Sequence, residues 1–294
     1  MLLQDYSFRG ETRVLDAAAR TEAPGAFTEL ADGTVHYELA GPERGQPVVL
    51  IHGFSVPCYT WDATLPALVN AGFRVLRYDL YGRGYSDRPD LNYDNRLFER
   101  QLLNLIAALR LREPVDLVGL SMGGAIAIHL AARHPALVRR LCLVSPAGLP
   151  LPTPWYARFI TAPRLGERLL DWVGDRVLVG GLTDDFFRPE RMGEYQTRYR
   201  DQMRFVGFRR ALLSTLRSGL VTGAAEAYAE VGRQERPVLL IWGRHDRVVP
   251  FRTSAQVLKS IPQAELQTVE QAGHVSHYEQ PEVVTPLLIG FLQR

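Results

Sequence analysis

The chain has 294 residues, 46% hydrophobic and 22% charged, which is enough to bury a sizeable core and gives no sign of disorder. Thirty-three arginines and a single lysine, Lys259, nearly balance 32 acids and leave a formal net charge of +2, a balance that gives no electrostatic affinity for nucleic acid or anionic membrane. No apolar stretch has the length of a membrane span. Cys58, in a loop, and Cys142, inside an apolar strand, are not expected to bridge, which fits a reducing compartment and a cytoplasmic location.

Residues 1–26 alternate acids (Asp5, Glu11, Asp16) with arginines (Arg9, Arg13, Arg20) and lack the uninterrupted apolar region of a signal peptide. They read as a surface extension ending at Pro24-Gly25. Beyond it, apolar runs predict strands near 27–31, 35–40, 47–52, 73–78, 114–119, 140–145, 237–242 and 264–269. Helical periodicity predicts helices near 61–71, 93–110, 122–134, 252–260 and 280–293. Such alternation requires crossover connections and a mostly parallel, eight-stranded sheet covered on both faces, an α/β architecture. Ala147 to Val231 interrupts it with a helical pattern carried by Phe159, Leu165, Leu169, Trp172, Phe205, Leu212 and Leu216. The expected organisation is therefore a core of 1–146 and 232–294 with a helical cap of 147–231.

The candidate chemistry sits at strand ends. His52-Gly53-Phe54 closes the run Pro47 to Ile51. The Asp79 that ends the next strand is expected to hold the Gly82-Arg83-Gly84 turn through side-chain to backbone hydrogen bonds. Gly119-Leu120-Ser121-Met122-Gly123 lies between an apolar strand and a small-residue helix, and this G-x-S-x-G context predicts a strained turn that exposes the serine hydroxyl. Pro237 to Pro250 is a buried strand whose end carries Asp246, and Gln271-Ala-Gly-His274 follows the last strand. A serine nucleophile needs a base within reach, and the base needs an acid to fix its tautomer. Ser121, Asp246 and His274 supply all three, and the backbone N–H groups of Phe54 and Met122 are expected to meet the oxyanion.

With these motifs the chain resembles the α/β-hydrolase superfamily, in its cap-bearing esterase, lipase and lactonase branch, over about residues 27 to 294. It is similar to monoacylglycerol-lipase-like and enol-lactone-hydrolase-like members around Gly119 to Gly124. The resemblance implies a serine hydrolase that needs no cofactor. C–C bond hydrolases of the superfamily typically have Asn before the nucleophile and a glycine-richer oxyanion loop; Leu120 and Phe54-Ser55-Val56 depart from that pattern and weigh toward an ester. Haloalkane dehalogenases and epoxide hydrolases of the same fold use an aspartate where this chain has Ser121.

The cap is rich in aromatics and carries mixed charges with no basic patch, so the expected partner is a small, uncharged, moderately hydrophobic ester. Ser55, Trp155, Val248 and Val275 are the expected pocket walls, because each follows or approaches a catalytic turn. His274-x-x-His277 spaces like a pair of metal ligands but has no acidic or cysteine partner at helical spacing, so no metal is expected. Two other readings keep the triad: a lactone or C–C bond hydrolase, and a ligand receptor with residual hydrolase activity. The sequence sets no oligomeric state.

Overall fold

The computed structural model describes residues 8–151 and 157–294. Its centre is an eight-stranded sheet formed by β1 (Ala26–Leu30), β2 (Gly33–Ala40), β3 (Pro47–Ile51), β4 (Arg74–Tyr78), β5 (Val115–Leu120), β6 (Val138–Val144), β7 (Val238–Gly243) and β8 (Glu265–Val269). The spatial order is β1-β2-β4-β3-β5-β6-β7-β8. Pairs β1–β2 and β2–β4 are antiparallel and all others parallel. β3, β5 and β7 are buried at every position because helices cover both faces, which is why they read as continuous apolar runs.

Around the sheet run α1 (Ala17–Arg20), α2 (Thr64–Asn70), α3 (Asn95–Ala108) and α4 (Met122–Arg133). Between β6 and β7 the chain leaves the sheet for α5 (Ala157–Thr161), α6 (Leu165–Asp185), α7 (Gly193–Met203), α8 (Phe208–Arg217) and α9 (Ala225–Gly232). It then continues through α10 (Ser254–Ser260), α11 (Ser276–Glu279) and α12 (Pro281–Gln293). The helix α9 packs on α4 and α10, and the Tyr228 hydroxyl donates to the Ala147 carbonyl at 2.7 Å, so the return of the insertion is tied to its departure. Among the described residues no helix is long and apolar enough to cross a membrane.

The strand order explains where ligand space opens. From β3 the chain moves to β4 on one side and then to β5 on the other, so the loops leaving β3 and β5 diverge and open a crevice at their carboxyl ends. Ile51 pairs with Gly119, and the segments that follow, Gly53-Phe54 and Ser121, therefore lie side by side. A Cβ on Gly53 would stand 3.5 Å from the Ser121 Cβ.

The N-terminal segment differs from the surface extension that its charges suggest. Phe8 and Glu11 are buried, and Arg13 forms a parallel bridge with Phe205 of the insertion. The Glu11 carboxylate accepts from the N–H groups of Gly207 and Arg209, each at 2.7 Å, and so caps α8, whose N-cap is Gly207 and has no side chain to do it. Alternating charge is the usual mark of a solvated face; here one acid is instead used against a helix terminus in the next layer.

Candidate active site

Ser121 joins β5 to α4 with φ 52° and ψ −117°, a conformation that costs a non-glycine residue energy and persists because its surroundings hold it. Its N–H donates to Val144 O at 3.0 Å, and its carbonyl accepts from Gly124, Ala125 and Ala147. Two glycines make the turn sterically possible. A Cβ on Gly119 would lie 2.5 Å from the Gly123 carbonyl oxygen, and one on Gly123 would collide with the Ile51 carbonyl. Ser121 is only 8% exposed, and it lines a cavity of about 120 Å³.

The same cavity is lined by His274, 4% exposed, on the loop after β8. Its Nδ1 is 2.9 Å from Asp246 Oδ2. Oδ1 of Asp246 accepts from the N–H groups of Val248 (2.9 Å) and Val249 (2.8 Å), so the carboxylate is fixed from behind by the turn that follows β7. An ionised carboxylate only accepts, so Nδ1 carries the proton and Nε2 is the basic nitrogen. Burial opposes the charged imidazolium, but the carboxylates of Asp246 and Asp185 outweigh it and raise the His274 pKa above its ordinary 6.5.

The loop after β3 supplies the third side. His52 accepts from Leu80 N–H through Nε2 at 2.9 Å, which makes its Nδ1 the donor to Gly53 O, also at 2.9 Å. That bond holds the carbonyl of the Gly53–Phe54 peptide toward the imidazole, and a trans peptide then sends the Phe54 N–H the opposite way. The following carbonyl, Phe54 O, accepts from Arg83 Nε at 2.8 Å. Burial lowers the His52 pKa to about 4, so it remains neutral and keeps these roles at physiological pH.

The sequence-selected residues thus largely converge. Ser121, His274, Phe54, Ser55, Val248 and Val275 line one cavity, Asp246 stands behind His274, and Met122 is the first, fully buried residue of α4 beside Ser121. Trp155 lies outside the described residues. The two histidines that flank the acid and base have other occupations: His245 stacks on Phe187 at 4.4 Å, and His277 contacts Thr60 Oγ1 at 3.1 Å and Trp61. Asp79 accepts from Tyr85 N–H in the expected turn, and also from Cys58 N–H and from His36 Nδ1. His36, Cys58 and Asp79 bring their ligand-type atoms within 4.8 Å of one another, a grouping the sequence did not suggest, but Asp79 has both oxygens committed to these bonds. Cys58 and Cys142 are both free and buried.

Three further residues belong to the site: Asp185 and Glu279 were not foreseen, and Tyr195 only as one of the aromatics of the insertion. Tyr195 and Asp185, from α7 and the end of α6, complete the cavity from the insertion side. Glu279, 3% exposed, joins that side to the histidine loop. Its carboxylate accepts from Gly273 N–H at 2.8 Å, from Phe187 N–H at 3.1 Å and from Arg188 N–H at 2.7 Å. Nothing in the local sequence marks it, since its partners at 187 and 188 are some ninety residues distant. In Glu279→Gln one amide group replaces an acceptor, so at least one buried donor loses its partner; we expect a loss of about 1–3 kcal/mol of stability, read by urea unfolding.

The alpha/beta hydrolase family matches the chain over residues 48–287. A 2-hydroxymuconate semialdehyde hydrolase of Pseudomonas sp. strain CF600 is 32% identical over 287 residues, covering 93% of this chain and 96% of the relative. Among solved structures, a meta-cleavage product hydrolase from Pseudomonas fluorescens IP01 is similar with a TM-score of 0.77 and 25% identity, covering 92% of this chain and 97% of that one. The enol-lactonase from Burkholderia xenovorans LB400 also superposes with a TM-score of 0.77, at 23% identity and over 92% and 100% of the two chains, a likeness of fold.

Proposed function

The chain belongs to the alpha/beta hydrolase family, and from that premise we propose that it is a serine hydrolase that cleaves an uncharged carboxylic ester through an acyl-enzyme. The observation that carries this reading is the convergence of Ser121 on its strained turn with the His274–Asp246 pair in one cavity. His274 Nε2 takes the proton of Ser121 as Oγ attacks the carbonyl carbon, and Asp246 stabilises the imidazolium. The oxyanion is met by the N–H groups of Phe54, aimed by the His52 bond, and Met122, at the positive end of α4. His274 returns the proton to the leaving alcohol; it then activates the water that releases the acid. None of these steps calls for a cofactor.

Residues 147–231 act in this reading as a cap, since Asp185 and Tyr195 close the cavity opposite Ser121. A cavity of about 120 Å³ is small beside the several hundred Å³ common in small-molecule sites, which favours a short acyl chain. The test is a panel of p-nitrophenyl esters from acetate to palmitate, with the optimum expected among the shortest. No turnover of any ester by the folded protein would contradict the ester reading.

A second reading is supported by the 32%-identical relative, named for 2-hydroxymuconate semialdehyde, and by the meta-cleavage product hydrolase among the similar structures. It would make this chain a C–C bond or lactone hydrolase with the same triad. Turnover of a vinylogous diketone or an enol-lactone at rates above those of all esters would favour it. Binding across the panel without turnover would favour a ligand receptor.

In either hydrolytic case His274 must be neutral to act as base. Because its pKa is raised, kcat/KM is expected to fall as pH drops through a value above 6.5. A pH profile of the free enzyme reads that limb directly.

A further inference from the structure

Asp185 ends α6, and its place is fixed on both sides: its carbonyl accepts from Val275 N–H at 3.2 Å, and Phe187 and Arg188, just beyond it, hang from Glu279. Its half-buried carboxyl lines the cavity with Ser121 and His274, yet none of the described residues gives it a hydrogen bond. The other walls are largely apolar or backbone: Gly53, Phe54, Val56, Leu120, Val248 and Val275. A half-buried carboxyl with no donor among the described residues has lone pairs left to offer to whatever enters the cavity.

The charges that face it decide what can complete it. The loop after β8 offers His274, the loop after β7 offers Asp246, and Asp184 precedes it on its own helix. The turn at 58–61 and helix α7 offer the phenols of Tyr59, Tyr195 and Tyr199, all raised by burial and so uncharged. One imidazole therefore stands against three carboxyl groups, and an incoming carboxylate would add a fourth.

We propose that Asp185 is a specificity-determining residue of this cavity: its carboxyl accepts a hydrogen bond from a hydroxyl or amine donor on the substrate and excludes substrates that carry a carboxylate at that end. This rests on the serine hydrolase reading and adds to it the polar feature of the substrate. Burial, and then the charge of Asp246, push the Asp185 pKa up to about 7 against the pull of His274, so the exclusion strengthens as pH rises through that range.

The test uses three alkyl fluorophosphonates of equal chain length, ending in methyl, hydroxymethyl or carboxylate, and reads their rates of Ser121 labelling at pH 8 and pH 6. Such probes need only the nucleophile, so the natural scissile bond does not matter. In the wild type at pH 8 the hydroxymethyl probe should label fastest and the carboxylate probe at least about tenfold more slowly than it. That ratio should shrink to about two or three in Asp185→Asn, and it should shrink in the wild type at pH 6, where the probe is still ionised and most of Asp185 is not. The change in His274 protonation acts on all three probes alike and cancels in the ratio, and the wild-type comparison stands whether or not the variant folds. Equal ratios in both proteins and at both pH values, or a carboxylate probe as fast as the hydroxymethyl one, would overturn the role of Asp185 while leaving the serine in place. Failure of every probe to label Ser121 would instead sink the underlying hydrolase reading, and this inference with it.

Discussion

Ser121→Ala is expected to abolish turnover, with a loss of about a millionfold in kcat, because the nucleophile of a triad acts as one unit with its base and its removal costs nearly what removal of the whole unit costs. The residual rate would come from the oxyanion donors and substrate binding alone. The loss should come without unfolding. The bonds that hold the turn use the backbone of residue 121, to Val144, Gly124, Ala125 and Ala147, and an alanine keeps all of them at the same positive φ. Thermal unfolding run beside the assay should therefore give a midpoint close to that of the wild type. A variant that keeps more than about a hundredth of the wild-type kcat would show that another group attacks the substrate.

Asp246→Asn is expected to reduce kcat by about ten-thousandfold while leaving the fold intact. The two oxygens of Asp246 have different duties: Oδ1 accepts from Val248 and Val249 N–H, and Oδ2 accepts from His274 Nδ1. An asparagine has one oxygen. The two backbone donors will claim it, which turns the amide NH₂ toward His274 and forces Nδ1 to accept. The proton then sits on Nε2, the atom that must take the serine proton, so the base is occupied in its resting tautomer. The effect should appear in kcat far more than in KM, because no cavity wall changes. The acid limb should move toward lower pH, since the Asp246 charge is the larger of the attractions that raise the His274 pKa. A variant with unchanged kcat and an unmoved limb would remove Asp246 from the mechanism.

The strand ends that carry the proposed chemistry were legible because each combines a buried apolar run with a polar residue at or just after its end: Ile51 to His52, Leu120 to Ser121, Gly243 to Asp246, Val269 to His274. In a parallel sheet such ends lie on one edge, so the convergence follows from alternation alone. The positions facing them from the insertion follow no such rule. Phe186 and Tyr195 are both buried aromatics of the insertion, yet one packs in the core while the other also walls the cavity, and helical periodicity does not tell the two apart. Asp184 and Asp185 look alike in sequence, but only the second lines the cavity, because the helix ends there and the chain turns back under the hold of Glu279. Glu11 and Glu279 share the same property: each is an acid with backbone N–H partners far along the chain, and neither spacing nor composition records such a pairing.

Ser121 as the nucleophile is tested most directly by the intact mass of the protein after reaction with a neutral methyl-ended fluorophosphonate, followed by peptide mapping. A single adduct on Ser121 is expected, absent in Ser121→Ala and formed about a thousandfold more slowly in a His274→Ala variant, on the order of what a positioned base contributes. An adduct on any other residue, or none on a folded protein, would contradict that role.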